Sequence, residues 1–66
     1  MITKFKKNNH IYCLEKTSKI VQSYWGFTSS EFTNSHRKIF ETTEQAQKYY
    51  RQKYLEKKRQ GFIEVT

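Results

Sequence analysis

The chain predicts an α+β fold: a small antiparallel sheet of three to four strands, covered on one face by a single C-terminal helix. Three observations carry this reading. Apolar and β-branched residues alternate in short segments up to Glu41, and Asn8-Asn9 and Thr17-Ser18 punctuate those segments. A helix-period run follows Thr42, and Gly61 stands where that run ends. Strands followed by one helix fit two layers around a single core.

Taken in order, residues 2–7 predict a short basic edge strand, and Asn8-Asn9 a turn, since Asn tolerates the left-handed backbone. His10 to Lys16 predicts a second strand and Thr17-Ser18 a second turn. Ser18 to Phe27 is the clearest strand. Val21, Ser23, Trp25 and Phe27 share one of its faces, and Ile20, Gln22 and Tyr24 share the other. Tyr24-Trp25-Gly26-Phe27 holds the chain's one Trp and one of its two Gly, which suggests a strand that stops where something approaches closely. Residues 28–35 are polar apart from Phe32 and predict a loop. His36 to Glu41 predicts a further strand.

The helix is expected from Thr42 or Thr43 to about Gln60. Only Thr42, with Gln45 three residues on, completes a capping box. Ala46, Tyr50, Tyr54 and Leu55 share one broad face, and Lys58 lies in the same arc and must snorkel. Tyr49 falls off that face and is expected to be exposed beside Lys53. Phe62 to Val65 forms a short extended tail, either docked on the sheet or packed beside the helix.

Size and composition bound the rest. A chain of 66 residues makes one domain, residues 1–66, with a thin stability margin. Eleven Phe, Tyr and Trp residues supply the bulk of a core. Thirteen Lys and Arg against six Glu and no Asp give a net charge of +7, which attracts polyanions. Cys13 is the single cysteine and cannot form an intrachain disulfide. With neither a signal peptide nor a transmembrane stretch in the sequence, cytoplasmic residence without membrane contact is the default expectation.

Catalysis finds little support. There is no Asp, and His10 and His36 lie far apart in sequence. Cys13 has no motif partner, although Cys13 and His36 could meet across paired strands. No His or Cys spacing matches a zinc pattern. No enzyme activity, metal or cofactor is expected.

Trp25-Gly26 late in a strand, Lys38-Ile39-Phe40 about a dozen residues later, and a helix from Thr43-Glu44-Gln45-Ala46 to a Gly61-Phe62-Ile63-Glu64-Val65 close give the chain a resemblance to the WGR domain family. It is similar to the small bacterial versions in molybdate-metabolism-regulator-like proteins, from about Lys4 to Val65. The resemblance implies a non-enzymatic DNA-binding module. In poly(ADP-ribose) polymerases, the family's Trp and Arg work at a DNA end, with the Trp against a terminal sugar. Trp25 and Gly26 match that motif, and Lys38 matches the basic position before the family's Phe. Phe27 replaces the motif Arg, Tyr24 replaces the basic residue that often precedes Trp, and residues 28–35 lack the usual Gly-rich loop. A phenyl ring cannot make a guanidinium's forked contacts to phosphate.

Two functions from different classes follow. The first is a nucleic-acid-binding module, with DNA ahead of RNA, that uses Trp25, Tyr24 and Phe27 as an aromatic platform and Arg37 and Lys38 as phosphate contacts near the end of the Trp25 strand. The second is a small protein-interaction module of mobile-element or phage type, docking Tyr24, Phe27 and Phe32 on an acidic protein. For Trp25 the alternatives are a stacking platform or a core side chain, where tryptophan usually sits. Most helix lysines are expected to be solvated surface.

Overall fold

The computed structural model describes residues 1–29 and 31–65; Ser30 and Thr66 lie outside the described residues. Five strands, β1 (Ile2–Lys7), β2 (His10–Thr17), β3 (Ile20–Phe27), β4 (Glu31–Ile39) and β5 (Ile63–Val65), form one antiparallel sheet in the order β4-β3-β2-β1-β5. The helix α1 (Thr43–Arg59) leaves from the β4 edge, packs on β2 and β3, and delivers the chain to β5 at the opposite edge. The fold is therefore α+β, with the helix on one face of the sheet.

Two tight turns set the hairpin registers. Asn8 and Ser18 take positive φ, 55° in each case, at the first turn position. Lys7 then pairs with His10, and Thr17 with Ile20. Period-2 alternation places Phe5, Leu14 and Val21 on the helix side, where they are fully buried. Burial of each contributes about 1.5–3 kcal/mol.

Ala46 and Tyr50 complete this core from the helix, and Ala46 has no exposed surface. The small Ala46 side chain lets the helix lie close to the sheet. Tyr50 reaches further, donating its hydroxyl proton to the Leu14 carbonyl at 3.4 Å and sharing a hydrogen bond with Thr3 Oγ1. Burial pushes the Tyr50 phenol up from its ordinary pKa, which keeps it a neutral donor.

Both helix ends follow local chemistry. Thr42 Oγ1 accepts from the Gln45 amide at 3.2 Å, and Gln45 Oε1 accepts in return from the Glu41 amide. At the other end the Gly61 amide bonds the Lys58 carbonyl and the Phe62 amide bonds the Lys57 carbonyl, both at 3.1 Å. This paired arrangement is the Schellman motif, with Gly61 at φ 95° in the left-handed position.

Several expectations are corrected. Of the two places expected for the tail, the sheet is the one taken: Ile63 to Val65 pair with Lys6 to Lys4 as a fifth strand, so β1 is internal and not the edge strand expected. Residues 31–35 are strand rather than loop. Apart from Phe32 they are polar, and they pair with β3 through backbone groups, which do not depend on side-chain type. Gly26 does not end β3. It marks a bulge, where Trp25 pairs with Asn34 but Gly26 pairs with Phe32, leaving Thr33 over. Leu55 is exposed, because the stripe that meets the sheet is the narrow Ala46-Tyr50-Tyr54 ridge.

Candidate functional site

The helix packs on β2 and β3 and seals only part of the sheet. The same alternation that buries Val21 brings Ser23, Trp25 and Phe27 to the helix side, and with them His10 and Tyr12 from β2 and His36 from β4. Ser23 and Tyr12 are buried, but Trp25 keeps 38% of its surface. Beside the helix a cleft of about 500 Å³ opens over this part of the sheet. Tyr12 and Trp25 form its floor, His10, Gly26 and His36 line it from the strands, and Tyr49, Lys53 and Lys57 wall it from the helix.

The floor is flat. Tyr12 and Trp25 are cross-strand partners whose rings lie within 19° of parallel, with centroids 6.3 Å apart. His10 packs on Phe27 with ring centroids 4.9 Å apart, extending the aromatic surface along the strands. Phe62, set by the Schellman turn, meets Tyr12 at 6.2 Å and lines the cleft as well.

The wall is cationic. Tyr49, Lys53 and Lys57 recur at intervals of four on the flank beside the buried ridge. The Lys57 ammonium stands 4.2 Å from the Tyr12 ring centroid and 5.3 Å from that of Phe62. Desolvation in this aromatic setting pulls its pKa below the ordinary lysine value. Lys57 also donates to Gln60 Oε1 at 3.3 Å. Lys53 lies over Tyr49 and pairs with Glu56 at 3.7 Å, so part of its charge is already met. Lys38 reaches the other side of Tyr49, at 5.0 Å, and the Phe40 ring at 5.4 Å. Lys53 and Lys57 thus line the cleft, while Lys38, on β4, packs on Tyr49 and Phe40 outside it.

The five residues singled out from sequence do not share one surface. Trp25, Phe27 and Lys38 face the helix side, whereas Tyr24 and Arg37 face the other, because neighbours on a strand alternate. Arg37 and Lys38 pair with Gln22 and Val21 rather than at the Trp25 end of β3. Tyr24 instead meets Phe32 on the open face, with ring centroids 6.0 Å apart. Cys13 pairs with Tyr24 and His36 with Ser23, so thiol and imidazole lie on opposite faces. Burial pushes the Cys13 thiol up, away from the reactive thiolate.

Sequence reasoning placed Tyr49 in solvent and assigned Lys53 and Lys57 to a solvated surface. Tyr49 is half-buried against Phe40, with ring centroids 5.1 Å apart. The signal that pointed to this flank was the i, i+4 recurrence of Tyr49, Lys53 and Lys57 next to the apolar ridge. It becomes meaningful only with a sheet wider than the helix can cover. Among the described residues no three His, Cys, Asp or Glu side chains gather in a group able to hold a metal ion, and no helix is long and apolar enough to cross a membrane.

No protein-family model and no curated protein matches the chain. Among solved structures it is similar to part of a protein from Bacteroides fragilis, determined by crystallography as a structural-genomics target. The TM-score is 0.90 at 17% identity. The match covers 100% of this chain and 20% of the Bacteroides chain, so the same two-layer architecture occurs there as one part of a much longer protein.

Proposed function

We propose that this chain is a non-enzymatic nucleic-acid-binding module of WGR-like type, in which the cleft beside the helix receives the ligand. The observation that carries the reading is the exposed Trp25 ring in a cleft walled by Lys53 and Lys57. A nucleobase matches the indole and a phosphate matches the lysines. Stacking of a base on an aromatic is worth ~1–3 kcal/mol, and the lysines supply the salt-dependent part of affinity. A net charge of +7 draws such a ligand in from a distance. In this reading Trp25, Phe27 and Lys38 keep the roles expected of them, and Lys53 and Lys57 take the place foreseen for Arg37. The last turn of the helix also holds Lys58 and Arg59, whose charges suit the helix C-terminus in any case.

A second reading has its own observation. The open face of the sheet exposes Ile2, Phe32, Ile39, Ile63 and Val65 beside Lys4, Lys6 and Arg37, a mixture that fits an acidic protein partner. Charge reversal separates the two. If nucleic acid binds in the cleft, Lys57→Glu abolishes oligonucleotide binding in a mobility-shift assay while Arg37→Glu leaves it intact. The opposite pattern moves the ligand to the open face. Log affinity is expected to fall linearly with log salt, with a slope of about −0.7 to −0.9 per phosphate contact, and a flat response contradicts the reading.

A further inference from the structure

Resting on the cleft as the nucleic-acid site, we infer that its ligand is a single unpaired base with its adjoining phosphate, so that the protein selects single strands over duplexes.

Access to the indole limits the ligand first. Trp25 is 38% exposed, but it lies on the floor of a cleft and not on a crest. Strand residues flank it, and the helix flank carrying Tyr49, Lys53 and Lys57 rises beside it. A ligand that stacks on this floor must enter edge-first and lie flat. The space of about 500 Å³ falls within the ~300–1,000 Å³ that small-ligand pockets occupy, enough for one nucleotide. A base inside a duplex has its faces covered by neighbouring pairs and reaches such a floor only by leaving the stack, which costs a few kcal/mol. A terminal pair offers a free face but must bring a partner base and a second backbone up against the helix wall. An unpaired base needs neither adjustment.

Charge then fixes the ligand's polarity. Lys57, whose ammonium covers the Tyr12 ring at 4.2 Å, lines the same cleft as Trp25 and is placed to meet a phosphate attached to a base stacked on the indole. Lys53 shares its charge with Glu56 3.7 Å away, which leaves Lys57 the principal contact. An acidic peptide would satisfy Lys57 as well but would leave the aromatic floor without a flat partner. The sugar is not read by these groups, so DNA and RNA single strands share the chemistry.

The test uses the intact chain and its single tryptophan. Oligothymidylate and oligouridylate of about eight nucleotides, inside the ~4–16 that small single-strand-binding folds occupy, are compared with a blunt duplex and an abasic strand of the same length. The inference expects quenching of Trp25 emission by at least one base-bearing strand and weaker binding of the duplex. The abasic strand is expected to bind roughly 5- to 150-fold more weakly, the equivalent of one lost stack. Trp25→Phe keeps most of the affinity and Trp25→Ala loses it. Lys57→Met lowers the salt slope by about one contact. The abasic comparison needs no variant and stands even if Trp25→Ala fails to fold. Duplex binding as tight as the single strand, or equal affinity for the abasic strand, overturns the inference while leaving nucleic-acid binding in place. Binding of none of the four removes the functional reading itself.

Discussion

Two neighbouring ridges of one helix meet one sheet with opposite results. Ala46, Tyr50 and Tyr54 recur every four residues and close over Leu14, Val21 and Phe5, where almost nothing reaches solvent. Tyr49, Lys53 and Lys57 recur with the same spacing one residue earlier or three later, and stand beside a cleft in which the indole of Trp25 remains reachable. The sheet underneath alternates in the same way throughout. What differs is side-chain length and charge: a methyl and two phenol rings permit close approach, whereas two ammonium stems cannot be buried without cost. Stability and binding surface are therefore assigned to adjacent flanks of one element.

Substitutions that break this contrast should differ in scale. Leu14→Ala removes a side chain with no exposed surface and should cost about 2–5 kcal/mol in urea denaturation, enough to unfold much of the population of so small a domain. Gly61→Ala forces a side chain onto a backbone at φ 95°. Its added Cβ would meet Lys7 Cε at 3.5 Å, an ordinary contact, so strain and not collision sets the expected loss of about 1–2 kcal/mol. That variant should also loosen Phe62 at the cleft. Tyr50→Phe removes the hydroxyl bonded to Leu14 and Thr3 and should cost about 1 kcal/mol with oligonucleotide binding unchanged.

Lys57→Met sharpens the other side of the contrast. Desolvation holds the folded-state pKa of Lys57 below its unfolded value. The unfolded chain therefore binds more protons between those two values, and this group's contribution to stability rises as pH increases through that window. Lys57→Met should flatten that alkaline rise in pH-dependent denaturation without harming the fold, while weakening anion binding at neutral pH. Arg37→Glu, on the open face, is the smallest change expected, within about 0.5 kcal/mol in stability.

How much of this was legible depended on how local the signal was. The first hairpin turn, the Thr42 cap and the Gly61 stop are written in single residues and lie where the chain predicted them, while the second turn falls at Ser18-Lys19, one residue beyond the expected Thr17-Ser18. The alternation of β3 also separated Val21 and Trp25 from Tyr24. Strand partnership was harder to read. Residues 31–35 look like a loop until β3 supplies their hydrogen bonds, and Ile63 to Val65 look like a tail until β1 does. The cleft was harder still, because it arises from how much of the sheet the helix leaves uncovered. No residue encodes that alone, which is why Tyr49, Lys53 and Lys57 passed for solvated surface and Arg37 was grouped with Lys38.

The accessible indole beside a positive wall can be measured directly, since Trp25 is the only tryptophan. Collisional quenching of its fluorescence by iodide and by caesium reports both accessibility and local field. The account predicts efficient quenching by iodide and little by caesium, with the difference shrinking in Lys53→Met/Lys57→Met protein. Emission insensitive to both ions, or caesium quenching that exceeds iodide, would contradict it.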